Sequence, residues 1–148
     1  MKYRVMTETD MEQIVNKYIE YYNSAEDCCW TYEKAYKRIH QVLTTEDSLC
    51  MIQMDDYGDI VGYLMGYYKE FDDITGYFLE EIVIFSGKQN MGYGTAFLQE
   101  LERVLIENGV ACIELNSVND EQHMHFYSKM GFYEAKNFTM MGKFFDET

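Results

Sequence analysis

The chain has 148 residues, of which 47% are hydrophobic and 16% aromatic, and this composition indicates a globular protein rather than a disordered one. Twelve basic residues against 26 acidic ones give a net charge of -14. That balance excludes general binding to nucleic acid or to an anionic membrane, because both require clustered Lys and Arg. The same charge suits a cationic substrate, although acidity also serves solubility alone.

The length predicts one domain over residues 1–148. No run of about 18 apolar residues occurs, and the first residues are too polar for a signal peptide. The cysteines Cys28, Cys29, Cys50 and Cys112 lack the spacing of a zinc site, and the three histidines form no ligand pattern. We therefore expect reduced thiols, no metal and a cytoplasmic protein.

The first half of the chain shows hydrophobic patterns of both helices and strands. Apolar residues that alternate with polar ones predict strands, and apolar residues three or four apart predict helices. The predicted elements are a strand at 2–6, helices at 11–22 and 31–43, and strands at 49–54 and 60–68 joined by a hairpin turn at 55–59.

The second half continues with a strand, a glycine segment and further elements. We predict a strand at 77–85, a helix at 92–108, a further helix that starts at Asn119, and strands at 111–115, 132–135 and 138–144. The order β-α-α-β-β-β-α-β-α-β-β gives an α/β (α+β) fold with a mixed central sheet, in which an antiparallel hairpin precedes a βαβ crossover.

The segment Gln89-Asn90-Met91-Gly92-Tyr93-Gly94-Thr95 lies between the predicted strand at 77–85 and the helix that follows. Glycines at a helix start bring the backbone close to a ligand and expose N–H groups to it, which is the arrangement that holds a phosphate or pyrophosphate. The segment lacks the Lys-Ser/Thr ending of a P-loop, and Phe97 stands where a dinucleotide fingerprint has its third glycine. A tight turn without a ligand is the alternative.

A second motif, Phe126-Tyr127-Ser128-Lys129-Met130-Gly131-Phe132, follows nearer the C-terminus. Together with Gln89-x-x-Gly-x-Gly and the element order, it resembles the GNAT superfamily of N-acetyltransferases over about residues 2–142. The resemblance implies acetyl-coenzyme A as co-substrate, with its pyrophosphate on the segment from Gln89 to Thr95. Many members have Arg in place of Gln89, so we expect weaker phosphate binding from this side chain.

The resemblance also implies that the strand before the glycine segment separates from its neighbour. The backbone of Ile82, Val83 and Ile84 would then pair with the pantetheine arm, while their side chains stay in the core. Asn119 is a further expected cofactor contact, although its spacing from Tyr127 is one residue longer than in many members. A helix N-cap is the other interpretation of Asn119.

Tyr127 is the expected proton donor. Amine attack on a thioester expels a thiolate, and a phenol pKa near 10 lets Tyr protonate a thiolate whose conjugate thiol has a pKa of about 8.5. The family commonly uses the Tyr of this motif in this way, so Tyr127 is also expected to contact the cofactor. The alternative is a core tyrosine packed beside Phe126 and Phe132.

The general base is predicted among Glu81, Glu80 and Glu114. The adjacent pair resembles the one before the glycine motif in spermidine/spermine acetyltransferases, and some protein N-terminal acetyltransferases have a Glu at the place of Glu114. Alternation along a strand sends Glu80 and Glu81 to opposite faces unless a bulge intervenes. We favour Glu81, and a solvated carboxylate is the alternative for each.

The break between the first two helices is the expected acceptor region, because it borders the acceptor site in the family. Glu26 and Asp27 would attract an ammonium group, and Trp30 and Tyr32 would give cation–π contacts. The aromatic residues there equally suit a core or a dimer surface.

The sequence thus predicts an N-acetyltransferase that moves an acetyl group from acetyl-coenzyme A to a primary amine by direct attack, since no nucleophilic Cys or Ser stands out. A small cationic amine is favoured, while polyamines, aminoglycosides, amino acids and protein N-termini remain open. The alternative is a non-catalytic module that binds or senses an acyl-coenzyme A. By resemblance, a homodimer is possible.

Overall fold

A computed structural model describes residues 1–146, and the chain divides into two compact units. The first unit is Met1–Asn116, and the second begins at Ser117. Among the helices of the described residues, none combines the length and the apolar content that are needed to cross a bilayer.

The first unit contains a five-stranded mixed sheet with the strand order β1-β2-β3-β4-β5. Neighbouring strands are antiparallel except β4 and β5, which are parallel because helix α3 connects them. This confirms the predicted mixed sheet. The strand bounds are β1 Lys2–Val5, β2 Met51–Met54, β3 Ile60–Glu70, β4 Thr75–Ile84 and β5 Cys112–Leu115.

Helices cover both faces of this sheet. Helices α1 (Met11–Ala25) and α2 (Tyr32–Leu43) bury their apolar sides in one cluster with Ile52, Tyr63 and other residues of the sheet. Helix α3 (Tyr93–Glu107) lies on the other face, where buried Gln53, the neighbour of Ile52 on β2, reaches the start of α3. The sheet is therefore buried on both sides, as the long apolar runs of β3 indicate.

A β-bulge interrupts the pairing of β3 with β4. Met65 lies opposite Glu81 and Gly66 lies opposite Leu79, so Glu80 is an extra residue on β4. Gly66 leaves the space that this arrangement needs, because a Cβ there would come within 2.3 Å of the Phe78 carbonyl oxygen. The bulge changes which face the side chains of β4 occupy.

The second unit contains helix α4, which spans Glu121–Lys129. Its N-cap is Asp120, whose carboxylate accepts from the His123 backbone N–H at 2.7 Å. The interpretation of Asn119 as the N-cap was therefore wrong by one residue. The helix ends at Lys129, and Gly131 follows the C-cap residue Met130 with a φ of 92°. The Phe132 N–H donates to the Tyr127 carbonyl at 3.0 Å, as in a glycine C-terminal cap.

The predicted strands at 132–135 and 138–144 do not form within the described residues. Their residues alternate as strand residues do, but a strand exists only when a neighbouring strand accepts and donates its hydrogen bonds, and this segment has no ladder partner there. Large apolar side chains of the segment are consequently exposed, such as Tyr133 at 90% and Phe138 at 76%. Local sequence pattern was misleading here.

The Gly66→Ala variant tests the role of the bulge. A methyl group would lie 2.3 Å from the Phe78 carbonyl oxygen and 2.5 Å from the Tyr77 ring, so β4 must shift. We expect the free energy of unfolding in urea to fall by about 1–3 kcal/mol. Gly142→Ala is the control, because a Cβ there meets nothing within 4 Å. Equal stability of the two variants would contradict the structural role of Gly66.

Candidate active site

The loop between β4 and α3 has an unusual backbone. Gly87, Asn90 and Gly92 have φ values of 79°, 62° and 79°, in the left-handed region that glycine and asparagine adopt most readily. Gly92 is the N-cap of α3, and its carbonyl accepts from the Ala96 N–H at 3.1 Å. The two glycines of the motif thus stand at the last loop position and inside the first helical turn.

Backbone N–H groups of residues 89–95 surround this helix start. Within the described residues, none of them donates to a protein acceptor. The N–H groups of a first helical turn have no partner in the helix itself, and the helix dipole adds positive potential at the same end. The loop can therefore hold an anion by its main chain.

The polar side chains beside the loop have other partners. The Gln89 Nε2 donates to the Ile84 carbonyl oxygen at 2.6 Å, and the Lys88 Nζ lies 3.7 Å from an Asp55 carboxylate oxygen. Asp55 is buried and accepts the Tyr57 and Asp59 N–H groups of the β2–β3 turn. Attraction for an anion therefore comes chiefly from the main chain rather than from Gln89 or Lys88.

One edge of β4 is free beyond its midpoint. Strand β5 pairs with β4 only from Gly76 to Leu79, so within the described residues the later part of β4 has no strand on that side. The Phe85 N–H donates to the Val61 carbonyl on β3, and alternation then directs the Val83 backbone to β3 as well. Ile82 and Ile84 present their N–H and C=O groups at the free edge. Of the three residues predicted to bind pantetheine, two have suitable backbone groups.

A cluster of polar side chains lies on the α1/α2 face of β4; we call Tyr18, Tyr22, Arg38, Glu80 and Glu81 the Glu81 cluster. The Tyr18 hydroxyl donates to both Glu81 oxygens at 3.1 Å, and the Tyr22 hydroxyl donates to one of them. The Glu81 side chain is 16% exposed, so its carboxylate is largely buried yet still reachable.

The bulge brings both carboxylates of the acidic pair to the same guanidinium. The Arg38 Nη2 lies 3.3 Å from a Glu80 oxygen and 3.6 Å from a Glu81 oxygen. Simple alternation predicted opposite faces, and the extra residue in β4 is the physical reason for the difference.

The environment of Glu81 changes its acidity. Burial raises the pKa of Glu81 above its usual value, and hydrogen bonds from Tyr22 and Tyr18 and the charge of Arg38 oppose this effect in part. Burial and the nearby Glu81 charge raise the pKa of Tyr18 and of Tyr22, so both hydroxyls remain donors. A raised carboxyl pKa in a partly open site is what a general base near neutral pH requires.

Glu114, the third candidate base, is separate from the Glu81 cluster. It lies on β5 opposite Phe78, and its carboxylate is 3.3 Å from the Lys69 Nζ. In the described residues, no hydrogen bond or ion pair joins Glu114 to Glu81. The geometry therefore favours Glu81 as the base.

Of the four predicted acceptor residues, Trp30 lies nearest the Glu81 cluster. Its ring packs edge-on against Tyr18 at 5.5 Å between centroids. The Asn23 side chain fixes Trp30, since it accepts the Trp30 N–H at 2.8 Å and donates to the Trp30 carbonyl at 2.9 Å. The loop between α1 and α2 is thus held against the site.

Glu26 is linked to the Glu81 cluster only through Tyr21, and Asp27 and Tyr32 lie outside the cluster. The Tyr21 hydroxyl donates to Glu26 at 3.1 Å, and the Tyr21 ring contacts Tyr22 at 5.0 Å. Asp27 is exposed, and Tyr32 stacks on Tyr36 at 6.2 Å. Neither Asp27 nor Tyr32 touches a residue of the cluster in the part of the chain that the structure describes.

The sequence analysis missed the partners of Glu81. Tyr18 and Tyr22 have the spacing of an apolar helix side, and that pattern conceals hydroxyl groups that point into a site. Arg38 stands beside buried Ile39 on a helix with other exposed cations. The available signal was a pair of tyrosines one turn apart on a helix that packs on an acidic strand.

Tyr127 and Asn119 belong to the second unit. Tyr127 is half-buried, and its ring makes edge contacts with Phe126 at 5.1 Å and with Phe132 at 5.5 Å. The aromatic residues of the motif therefore pack against one another. The role of the Tyr127 hydroxyl as a proton donor stays a prediction. Asn119 is exposed and immediately precedes the cap residue Asp120.

The sequence matches the model of the acetyltransferase (GNAT) family over residues 11–132. Among curated proteins, none matches the chain.

Several solved structures share the fold. A probable acetyltransferase has a TM-score of 0.81 at 14% identity, with all of both chains covered. A GNAT family acetyltransferase of Staphylococcus aureus has a TM-score of 0.69 at 17% identity, and the match covers 99% of this chain and 98% of the other. An aminoglycoside acetyltransferase from an uncultured soil metagenomic sample has a TM-score of 0.67 at 16% identity, and the match covers 97% of this chain and 100% of the other. With the family match over most of its length, the chain belongs to the GNAT acetyltransferase family.

Proposed function

We propose that this protein is an N-acetyltransferase that moves an acetyl group from acetyl-coenzyme A to a primary amine by direct attack. The observation that carries this proposal is the Glu81 carboxylate, which is largely buried, has a raised pKa and accepts hydrogen bonds from two tyrosines. It lies on the strand whose free edge leads to the anion-binding loop. A base at this place serves one chemical need of acyl transfer to an amine, which is a free lone pair on the nitrogen.

Two features of the backbone suit coenzyme A. The N–H groups of residues 89–95 would bind the pyrophosphate, which the acidic protein otherwise repels. The N–H and C=O groups of Ile82 and Ile84 at the open edge of β4 would pair with the amides of the pantetheine arm. The Gln89 amide, now on the Ile84 carbonyl, would exchange that partner for the arm.

The proposed chemistry assigns one step to each group. Glu81 accepts a proton from the ammonium, the freed amine attacks the thioester carbonyl, the C–N bond forms and the C–S bond breaks. Tyr18 and Tyr22 hold the carboxylate in place during this step. By resemblance to the family motif, the Tyr127 hydroxyl gives its proton to the departing thiolate, and the second proton that the nitrogen loses as the amide forms returns the Tyr127 phenolate to its neutral form through solvent.

The charges of the Glu81 cluster support an acceptor with a single ammonium group. Two carboxylates, Glu80 and Glu81, face one guanidinium, Arg38, so one negative charge is left without a partner in the cluster. The rings of Tyr22 and Trp30 add faces for cation–π contact. A small amine with one positive charge fits this balance better than a long polyamine.

Replacing the base tests the central assignment. With Glu81→Gln, we expect the turnover number to fall by about 10²-fold or more, because the carboxylate no longer accepts the ammonium proton. In the wild type, kcat/KM should rise with pH through the pKa of Glu81, which lies above the usual 4.5. This acid limb, measured by release of free thiol, should be absent from the residual activity of the variant.

Glu80→Gln is the matched control for that experiment, since Glu80 contacts the same Arg38 but, among the described residues, accepts no tyrosine hydroxyl. It should keep the acid limb and most of the turnover. If Glu80→Gln loses the limb and Glu81→Gln retains it, the assignment of the base is wrong.

The Tyr127→Phe variant separates an enzyme from a sensor. Loss of the hydroxyl should lower the turnover number by about 10²-fold, while the dissociation constant of coenzyme A stays within about twofold. A module that only senses acyl-coenzyme A would show no turnover before or after the change. Calorimetric titration with coenzyme A gives the affinity, and thiol release gives the rate.

A panel of amines tests the charge argument. We expect small amines with one ammonium group to give higher kcat/KM than polyamines or uncharged amines, because one negative charge of the cluster is free to attract them. Thiol release with acetyl-coenzyme A is the readout. Equal rates for charged and uncharged amines would contradict the proposed acceptor class, and silence across the panel would favour the sensor.

A further inference from the structure

A fully buried amide, that of Gln53, lies beneath the start of helix α3. Gln53 is on β2 and has 0% exposure, which is rare for a polar side chain. Its Nε2 donates to the Tyr93 carbonyl oxygen at 3.0 Å and to the Tyr3 hydroxyl at 3.3 Å. Because the Tyr93 carbonyl can only accept, the amide orientation is determined by this bond.

We propose that Gln53 is a positioning residue for the coenzyme A loop, and that its amide holds the first residue of α3 so that the loop N–H groups face the pyrophosphate. This inference rests on the proposed function. Tyr93 directly follows Gly92 and is the first residue of the helix. It lies among the residues 89–95 whose N–H groups have no protein acceptor in the described part of the chain.

The physical reason is preorganisation. The loop has two glycines and Asn90 at positive φ, and such a backbone has many accessible conformations when nothing restrains it. Ordering it on binding would cost affinity, and a bond made in advance from the sheet removes that cost. The Tyr3 ring, which contacts Phe97 at 5.5 Å, adds a second link one turn later.

The opposite strand leaves room for this amide. Gly62 on β3 pairs directly with Gln53, and a Cβ at Gly62 would come within 2.7 Å of the Gln53 Oε1. That oxygen has no hydrogen-bond partner among the described residues. The bond to Tyr93 is therefore the main interaction that compensates the free-energy cost of burying the amide. A methyl group at Gly62 would also come within 3.0 Å of the Ile84 Cδ1 and 3.2 Å of the Val83 carbonyl oxygen, so a substitution there disturbs β4 as well as the amide.

The Gln53→Met variant tests the proposal, because Met keeps the length of the side chain and removes the donor. With the full-length protein, we expect the dissociation constant of coenzyme A and the KM of acetyl-coenzyme A to rise about five- to tenfold, the effect of one hydrogen bond. The kcat at saturating acetyl-coenzyme A should stay within about twofold, since the Glu81 cluster is on the other face of the sheet. This split between KM and kcat is not expected from a general loss of stability.

Tyr3→Phe is the matched control. It removes the other acceptor of the same Nε2 and keeps the ring contact with Phe97, so the affinity for coenzyme A should stay within about twofold.

The outcomes separate this inference from the proposed function. Unchanged affinity of Gln53→Met or equal weakening by Tyr3→Phe would each overturn the role of Gln53. If Gln53→Met does not fold, Gln53→Leu, which also removes the donor, decides by the same split between KM and kcat. A wild-type protein that does not bind coenzyme A overturns both proposals, whereas a wild type that binds it with the same affinity as the variant overturns only this one.

Discussion

The buried carboxylate of Glu81 is the constraint on which the rest of the site depends. A charge in this environment is costly unless hydrogen bonds and an opposite charge compensate it. Tyr18 and Tyr22 come from α1, and Arg38 comes from α2, so the groups that stabilise the charge also fix two helices on β4. The packing of the fold and the acidity of the proposed base therefore have the same origin.

Two features of the site arise at neighbouring residues of β4, which are the free strand edge and the bulge. The ladder with β5 ends at Leu79, and the bulge with β3 occurs at the next residue, Glu80. Beyond that point the strand has a free edge for a partner backbone, and both carboxylates of the pair meet Arg38. The glycine loop then follows within a few residues, so the proposed binding and proton-transfer groups lie on one continuous segment.

Some features of this fold and site are predictable from local sequence, and others are not. The mixed sheet, the helices and the loop before α3 follow from local periodicity and from Gly92 and Gly94, whose conformations are set within a few residues. Glu81 was favoured as base by resemblance, but its face and its partners were not predictable, because they depend on a bulge opposite Gly66. Strands at 132–135 and 138–144 were predicted wrongly for the same reason, since a strand needs a partner that pattern does not supply.

The sequence by itself determined the family, the order of the elements of the first unit and the place of the glycine loop before α3, because motifs and periodicity are local properties of the chain. Only the tertiary structure decided which carboxylate became buried, which tyrosines donate to it and which amide supports the start of α3. Those contacts join residues that are about 40 to 60 positions apart, such as Gln53 with Tyr93 and Tyr18 with Glu81. Contacts at such separations depend on register, bulges and packing, which no local pattern encodes.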